Sequence, residues 1–404
     1  MASSLGSEES AARRIRYGLM LGGLANFLAL YYVQPLLPGI AQHFRVSASE
    51  STAVLSVTTI TMAVALLVVG PLSDVTGRVT IMRLSLGASA VLGIAAALAP
   101  SWESLLTLRA LQGVALAGLP AVALAYVREE TPAGAHLRAN ATYITGTALG
   151  GAAGRLLPGP FHAWWGWTGA GAAIGVITLL CTIGLWVTVP PSRRFRRATP
   201  RMRSLFANTG RTLRDPALVM LCLVGAATMG VFVGLCNALT FRLEAAPYLL
   251  GGAATLAFLA YPVGIPAPLA AGRLAARRGR GLAALLGIAL LLLGVLLTLL
   301  TPLPAVVSGL ALLTFAFLGT HSLVSGWVSD RAQRIGVGAA QAAGLYLLAY
   351  YAGSSVFGAL AARRWQTDGW TSVIAGCVAL TLGAGLLVIL ARRFDTTPRT
   401  APCQ

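Results

Sequence analysis

A chain of 404 residues that is 56% hydrophobic and only 10% charged falls outside the range of soluble domains and has the composition of a polytopic membrane protein. Its formal net charge of +18 comes from thirty arginines against twelve acids, with no lysine. The missing lysine excludes a G-x-x-x-x-G-K-[ST] phosphate loop and so ATP-driven transport by this chain; the basic residues cluster between apolar runs, which points to membrane topology and not to nucleic acid.

The apolar runs are mostly about 20 residues long, enough to cross ~30 Å of hydrocarbon as helix, and none alternates like a barrel strand. The expected fold is therefore all-α, with twelve transmembrane helices in two pseudo-symmetric six-helix bundles. Spans are expected at 17–40, 50–72, 81–99, 103–127, 139–158 and 165–189, then at 216–241, 248–271, 281–301, 303–327, 338–361 and 370–391. A tail of 1–16, bundles of 17–191 and 216–391, a linker of 192–215 and a tail of 392–404 follow. Ser47 and Glu50 read as a capping box before span 2, Asp215 and Pro216 as an N-cap and first-turn proline opening span 7, and Pro190-Pro191 as the close of span 6.

With the N-terminus inside, the inner segments hold 24 arginines, the outer segments five, and Arg109 lies within a span. The positive-inside rule then places both termini in the cytoplasm of a multi-pass protein of the inner or plasma membrane. Eight of those arginines lie in the 192–215 linker, where they would attract anionic lipid headgroups at about 1 kcal/mol each.

Between spans 2 and 3 the chain reads G-P-L-S-D-V-T-G-R from Gly70, and between spans 8 and 9 it reads G-R-L-A-A-R-R-G-R from Gly272. Gly70, Asp74, Gly77 and Arg78 answer to Gly272, Ala276, Gly279 and Arg280 at the same spacing, an internal duplication of a charged hinge. Gly70, Leu72, Ser73, Asp74, Gly77 and Arg78 resemble the G-x-L-[AS]-D-x-x-G-R loop signature of the major facilitator superfamily. Val75 and Val79 stand where further basic residues are usual, and Ala276 replaces the aspartate of the second copy. The resemblance implies two halves rocking about a central cavity. It places Asp74 near the start of span 11, Arg78 near Glu129 or Glu130, and Arg280 near Asp330, as a latch on the cytoplasmic side.

Further along, Arg109, Gln112 and Gly113 in span 4 resemble the R-x-x-Q-G element of proton-coupled members; an arginine inside a span reads as functional unless it snorkels to a carbonyl or glutamine partner. Gly146, Gly150 and Gly154 form one stripe on span 5, a signal for close helix packing; they match in part the glycine-rich element of the family's exporters, which usually includes a Gly-Pro step. Asn26 and Gln34 on span 1, where Pro35 and Pro38 predict kinks, join Gln341, Tyr346, Tyr350 and Ser354 on span 11 as polar groups able to line an amphipathic cavity. These two spans look like bacterial drug-efflux members, including the branch related to arabinose efflux permeases. Tyr143, Thr147 and Asn237 are weaker lining candidates. His321 is either a proton carrier, since imidazole titrates near neutrality, or a neutral group satisfied between helices.

Five scattered cysteines indicate neither a disulfide framework nor a metal site, and no cofactor is expected. No Ser/His/Asp set or H-E-x-x-H appears, and every acid lies in a tail, a loop or a span end, against an intramembrane enzyme. The expected function is export of a small amphipathic molecule or drug coupled to proton influx, by a monomer. Sugar or metabolite efflux and a non-transporting membrane sensor are the alternatives. Because no carboxylate lies in the middle of a span, neutral or weakly acidic substrates are expected over permanent cations.

Overall fold

The computed structural model describes residues 2–132, 135–192, 195, 197 and 210–395. Most of the expected linker and the tail beyond 395 lie outside the described residues. Within them the chain is helical throughout, and the helices change direction where proline or glycine interrupts an apolar run.

Span 1 is the helix Ala2–Tyr31, a 3-10 turn at Gln34–Leu36 and a short helix Leu37–Phe44. Pro35 and Pro38 remove backbone donors there, and the helix breaks at the expected place. Span 2 is Ala53–Thr76, span 3 Arg78–Ala97, span 4 the pair Trp102–Leu116 and Gly118–Glu130, span 5 His136–Leu156, and span 6 Pro158–Thr188. Span 7 is Pro216–Glu244, span 8 the 3-10 run Gly251–Gly264 with the helix Ala267–Arg278, span 9 Arg280–Leu297, and span 10 Leu303–Arg334. Spans 11 and 12 lie in the continuous stretch Ala339–Phe394, broken at Gly369, whose φ of 72° ends one helix and starts the next. Ten of the described stretches are long and apolar enough to cross a membrane; the glycine- and threonine-rich span 5 is not among them, and spans 11 and 12 count as one.

Several elements differ from the sequence expectation, among them spans 8 and 10, which each run seven residues further, to Arg278 and Arg334. The polar N-terminal segment is helical from Ala2, because Ile15 is already buried and Arg14 donates to the Val187 carbonyl at 3.1 Å. Span 6 begins at Pro158 and is interrupted at Gly166, φ 66°. The first half of span 8 is wound as 3-10 helix, with Pro262 inside it and Pro266 capping the helix that follows.

The chain forms two compact units. The first contains residues 1–200, 236–262 and 358–370; the second contains 201–235, 263–357 and 371–404. The sequence halves and the units thus differ at 236–262 and 358–370. In the first unit, Leu19, Leu86, Leu119, Tyr126 and Leu185 belong to one buried core. Span 5 lies along span 1 at backbone distance: a methyl group on Gly146 or Gly150 would overlap the carbonyl oxygen of Met20 or Leu24, and one on Gly154 would sit 3.1 Å from that of Leu28. Only glycine permits this approach, which lets dispersion contacts replace the hydrophobic drive that lipid does not supply. In the second unit, Gly353 lies against the Ala226 carbonyl in the same way, bringing span 11 onto span 7.

Candidate gate and binding residues

The hinge segments are not loops but helix ends. Gly70 through Thr76 continue the helix of span 2, and Gly272 through Arg278 that of span 8; each turn is a single glycine. Gly77 has φ 102°, ψ 142° and Gly279 has φ 84°, ψ 150°. Other residues are strained in that region, which accounts for the repeated glycine. Beside Gly77, Arg78 pairs with Asp74 at 2.6 Å and with Glu129 at 3.0 Å, and it also donates to Ser73 Oγ. Phe195 places its ring 5.9 Å from the same guanidinium. Beside Gly279, Arg280 pairs with Asp330 at 2.5 Å.

The same end of the second unit holds an ion network that the sequence reading did not anticipate. Asp215 accepts from the backbone of Leu218 at 2.9 Å, as an N-cap does, and also pairs with Arg331 at 2.8 Å, with both side chains largely buried. Asp395 accepts from Arg334 at 2.6 Å and from Trp327 Nε1 at 2.9 Å. A cavity of about 760 Å³ opens here, with Arg280, Trp327, Asp330 and Arg392 in its wall. The available signal was Arg331 and Arg334, one turn apart at the end of span 10.

Arg109 is fully buried, and its donors meet the broken end of span 1. Nη1 and Nη2 donate to the Ala29 and Leu30 carbonyls at 3.1 and 3.2 Å, Nε donates to the Val54 carbonyl at 3.2 Å, and Gln112 Oε1 also accepts. Gln112 donates in turn to the Ser89 carbonyl at 2.9 Å. The R-x-x-Q-G element therefore satisfies carbonyls that the interruption after Tyr31 releases from the helix ladder. Gly22, one turn before Asn26, lies against Leu86, Leu119 and Leu185. Asn26 therefore faces the interior of the first helices, where both of its amide atoms are buried without a partner among the described residues.

Arg155 corrects the arginine count: it belongs to the last turn of span 5 and is 1% exposed, a second buried arginine where the sequence reading has only Arg109. Its Nε donates to Gln34 Oε1 at 2.8 Å and its Nη1 to the Gly151 carbonyl at 2.9 Å. The Tyr31 and Tyr261 ring centroids lie 4.0 and 4.8 Å from the guanidinium carbon. Gln34 Nε2 donates to Asn237 Oδ1 at 2.8 Å. Gln34 and Asn237 thus meet in one hydrogen-bonded chain, although they are 203 residues apart in sequence. Tyr143 is buried and Thr147 bonds the Ile144 carbonyl within its own helix; neither joins this chain in the contacts described.

In the second unit His321 Nδ1 lies 2.9 Å from the Tyr346 hydroxyl, and its ring stacks with Phe317 and meets Tyr350 at a tilt, 4.7 Å between centroids. Phe232 stacks on Phe317 at 4.3 Å. Gly225 leaves room on span 7 for the Tyr346 ring. Spans 7, 10 and 11 so supply one aromatic cluster with a histidine in it. Gln341, at the start of span 11, is half-buried three turns before Ser354, whose hydroxyl bonds the Tyr351 carbonyl.

The family model of the Major Facilitator Superfamily matches residues 19–358. The chain belongs to this superfamily. Among its relatives, the MFS-type transporter YybF of Bacillus subtilis strain 168 is 38% identical over 363 residues, covering 90% of this chain and 89% of that one. The inner membrane transport protein YnfM of Escherichia coli K12 is 37% identical over 376 residues, covering 93% and 89%. The fold matches that of a bacterial homologue of the human lysosomal transporter Spinster, in an inward-facing and occupied conformation, with a TM-score of 0.75 at 15% identity over 96% of this chain and 98% of that one. It also matches the nucleoside transporter NupG with a TM-score of 0.74 at 12% identity, covering 94% and 99%. This superfamily member is a multi-pass membrane transporter with twelve helices in two six-helix bundles.

Proposed function

We propose that the protein is a secondary active exporter in the bacterial inner membrane, with both termini cytoplasmic, that expels a small amphipathic compound by alternating access coupled to proton influx. The observation that carries this reading is the duplicated hinge. Gly77 and Gly279 make the same backbone break, and the arginine after each is held by an acid from a neighbouring helix, Glu129 or Asp330. Ion pairs at a partly wet surface are worth about 1 kcal/mol or less each, so they hold one conformation and still release it. A gate needs an equilibrium near balance, since ~1.4 kcal/mol changes a population ratio tenfold. His321 with Tyr346, or the substrate's own ionisable group, would carry the coupled proton.

The test is accumulation of a compound panel in cells with and without the protein, and with and without a proton uncoupler. Lower accumulation of at least one amphipathic compound, abolished by the uncoupler, is the expected result. Accumulation raised by the protein, or unaffected by it for every compound, would overturn export.

A further inference from the structure

Of the four arginines buried among the described residues, Arg242 lies over the Tyr248 and Trp370 rings, and the other three are held in three different ways. Arg331 is held by the carboxylates of Asp215 and Asp395. Arg109 spends its donors on backbone carbonyls at a helix break. Arg155 instead sits among an amide, a carbonyl and two phenol rings.

The surroundings of Arg155 set a direction on the whole chain of groups. A guanidinium only donates, so Gln34 must turn its oxygen to Arg155 and its nitrogen to Asn237, which in turn must accept with Oδ1. The Arg155 guanidinium brings a positive charge among Tyr31, Gln34, Gly151, Asn237 and Tyr261, in a part of the molecule where the effective dielectric is low. Ring quadrupoles and amide dipoles stabilise such a charge. The bond to Gln34 is charged on the donor side alone; a carboxylate presented to the same fork adds the opposite charge and can accept two parallel N–H bonds, and its plane matches that of the guanidinium. The two tyrosine rings give flat apolar surface beside it for the body of the ligand. Gly151 lets the Tyr261 hydroxyl come close to span 5, since a methyl group there would lie 3.1 Å from it.

We infer that Arg155 is the recognition point for the carboxylate of an organic monoanion, which displaces the Gln34 amide oxygen and lies against Tyr31 and Tyr261. The inference rests on the transport reading above and gives it a substrate class and an anchoring residue. The same fork and rings make a permanent cation the wrong ligand for this site.

The experiment uses the purified full chain and a matched series of aryl carboxylates and their carboxamides, 1-naphthoate and 1-naphthamide among them, with affinity measured by thermal shift and calorimetry. The wild type is expected to bind at least one carboxylate about tenfold or more tightly than its amide. Gln34→Glu supplies a built-in carboxylate to Arg155, so it should keep or raise thermal stability and lose the carboxylate preference while still binding the amide. Arg155→Lys should retain part of the preference and Arg155→Gln none, with lower stability in the latter. Equal binding of acids and amides by the wild type, no binding by any acid, or a preference that survives Gln34→Glu would overturn the inference. Uptake of the same series into proteoliposomes under a proton gradient separates the two readings: amides moved as well as acids sink only the anion site, whereas movement of neither series sinks transport of such compounds.

Discussion

The two hinge copies share a backbone and differ in their charges. At Gly77 the arginine that follows is 13% exposed and bridges Asp74 and Glu129; at Gly279 the corresponding Arg280 is 46% exposed and, among the described residues, pairs with Asp330. Ala276 in place of the aspartate removes one acceptor, and the deeper ion pairs of that unit belong to Arg331 with Asp215 and Asp395. Both copies keep the glycine turn, whose conformation no other residue adopts cheaply, and the pair to an acid at the end of span 4 or span 10. What separates them is the second acceptor, Asp74 in one and no carboxylate at Ala276 in the other.

That comparison can be broken most severely at Asp74. Asp74→Asn is expected to leave membrane insertion intact and to reduce flux by up to about fivefold, because the loss of one pair worth about 1 kcal/mol shifts a finely balanced gate; flux near that of the wild type would put the first lock on the same footing as the second. Next is Arg331→Ala, which takes the guanidinium from the largely buried Asp215 and leaves Asp395 to Arg334 and Trp327. A loss of about 2–4 kcal/mol in detergent unfolding is expected, and a change as small as that for an exposed residue would deny the network its role. Gly77→Ala and Gly279→Ala should each destabilise by about 1–3 kcal/mol, and by similar amounts, since the strain is the same at both. Unequal values would show that the two breaks are not equivalent. The smallest effects belong to the weaker copy: Arg280→Ala should change stability by less than about 1 kcal/mol. Ala276→Asp, which restores the missing acid four residues before Arg280, should add a few tenths of a kcal/mol at most, roughly the value of a helical i,i+4 pair.

The fold was legible because its signals are redundant. Apolar length, arginine distribution, the proline-capped start at Asp215 and the repeated glycine hinge all point to twelve helices in two bundles. The parts that escaped depend on depth and on pairing between distant segments. Arg155 follows a glycine run near a span end, and by position alone it passes for an outer-segment charge; the nearness of Gln34, Tyr31 and Tyr261 makes it a buried group. The R-x-x-Q-G element was visible as a motif, but its engagement with the end of span 1 needed the break at Tyr31 to be located first. The 3-10 winding of the first half of span 8 was not legible, because such a run has no distinct apolar period over so short a stretch.

The seating of span 5 against span 1, glycine upon carbonyl at Met20, Leu24 and Leu28, has a mechanical consequence. Two helices meshed at backbone distance in three successive turns resist sliding, since any axial slip would drive a side chain into the partner's main chain. They behave as one stiff beam. Tyr31 and Gln34 sit at the end of one member and Arg155 at the end of the other, so the charge, its amide acceptor and its aromatic seat keep their mutual spacing however the beam tilts. A passenger held there would be carried with its socket and not passed from one helix to the next.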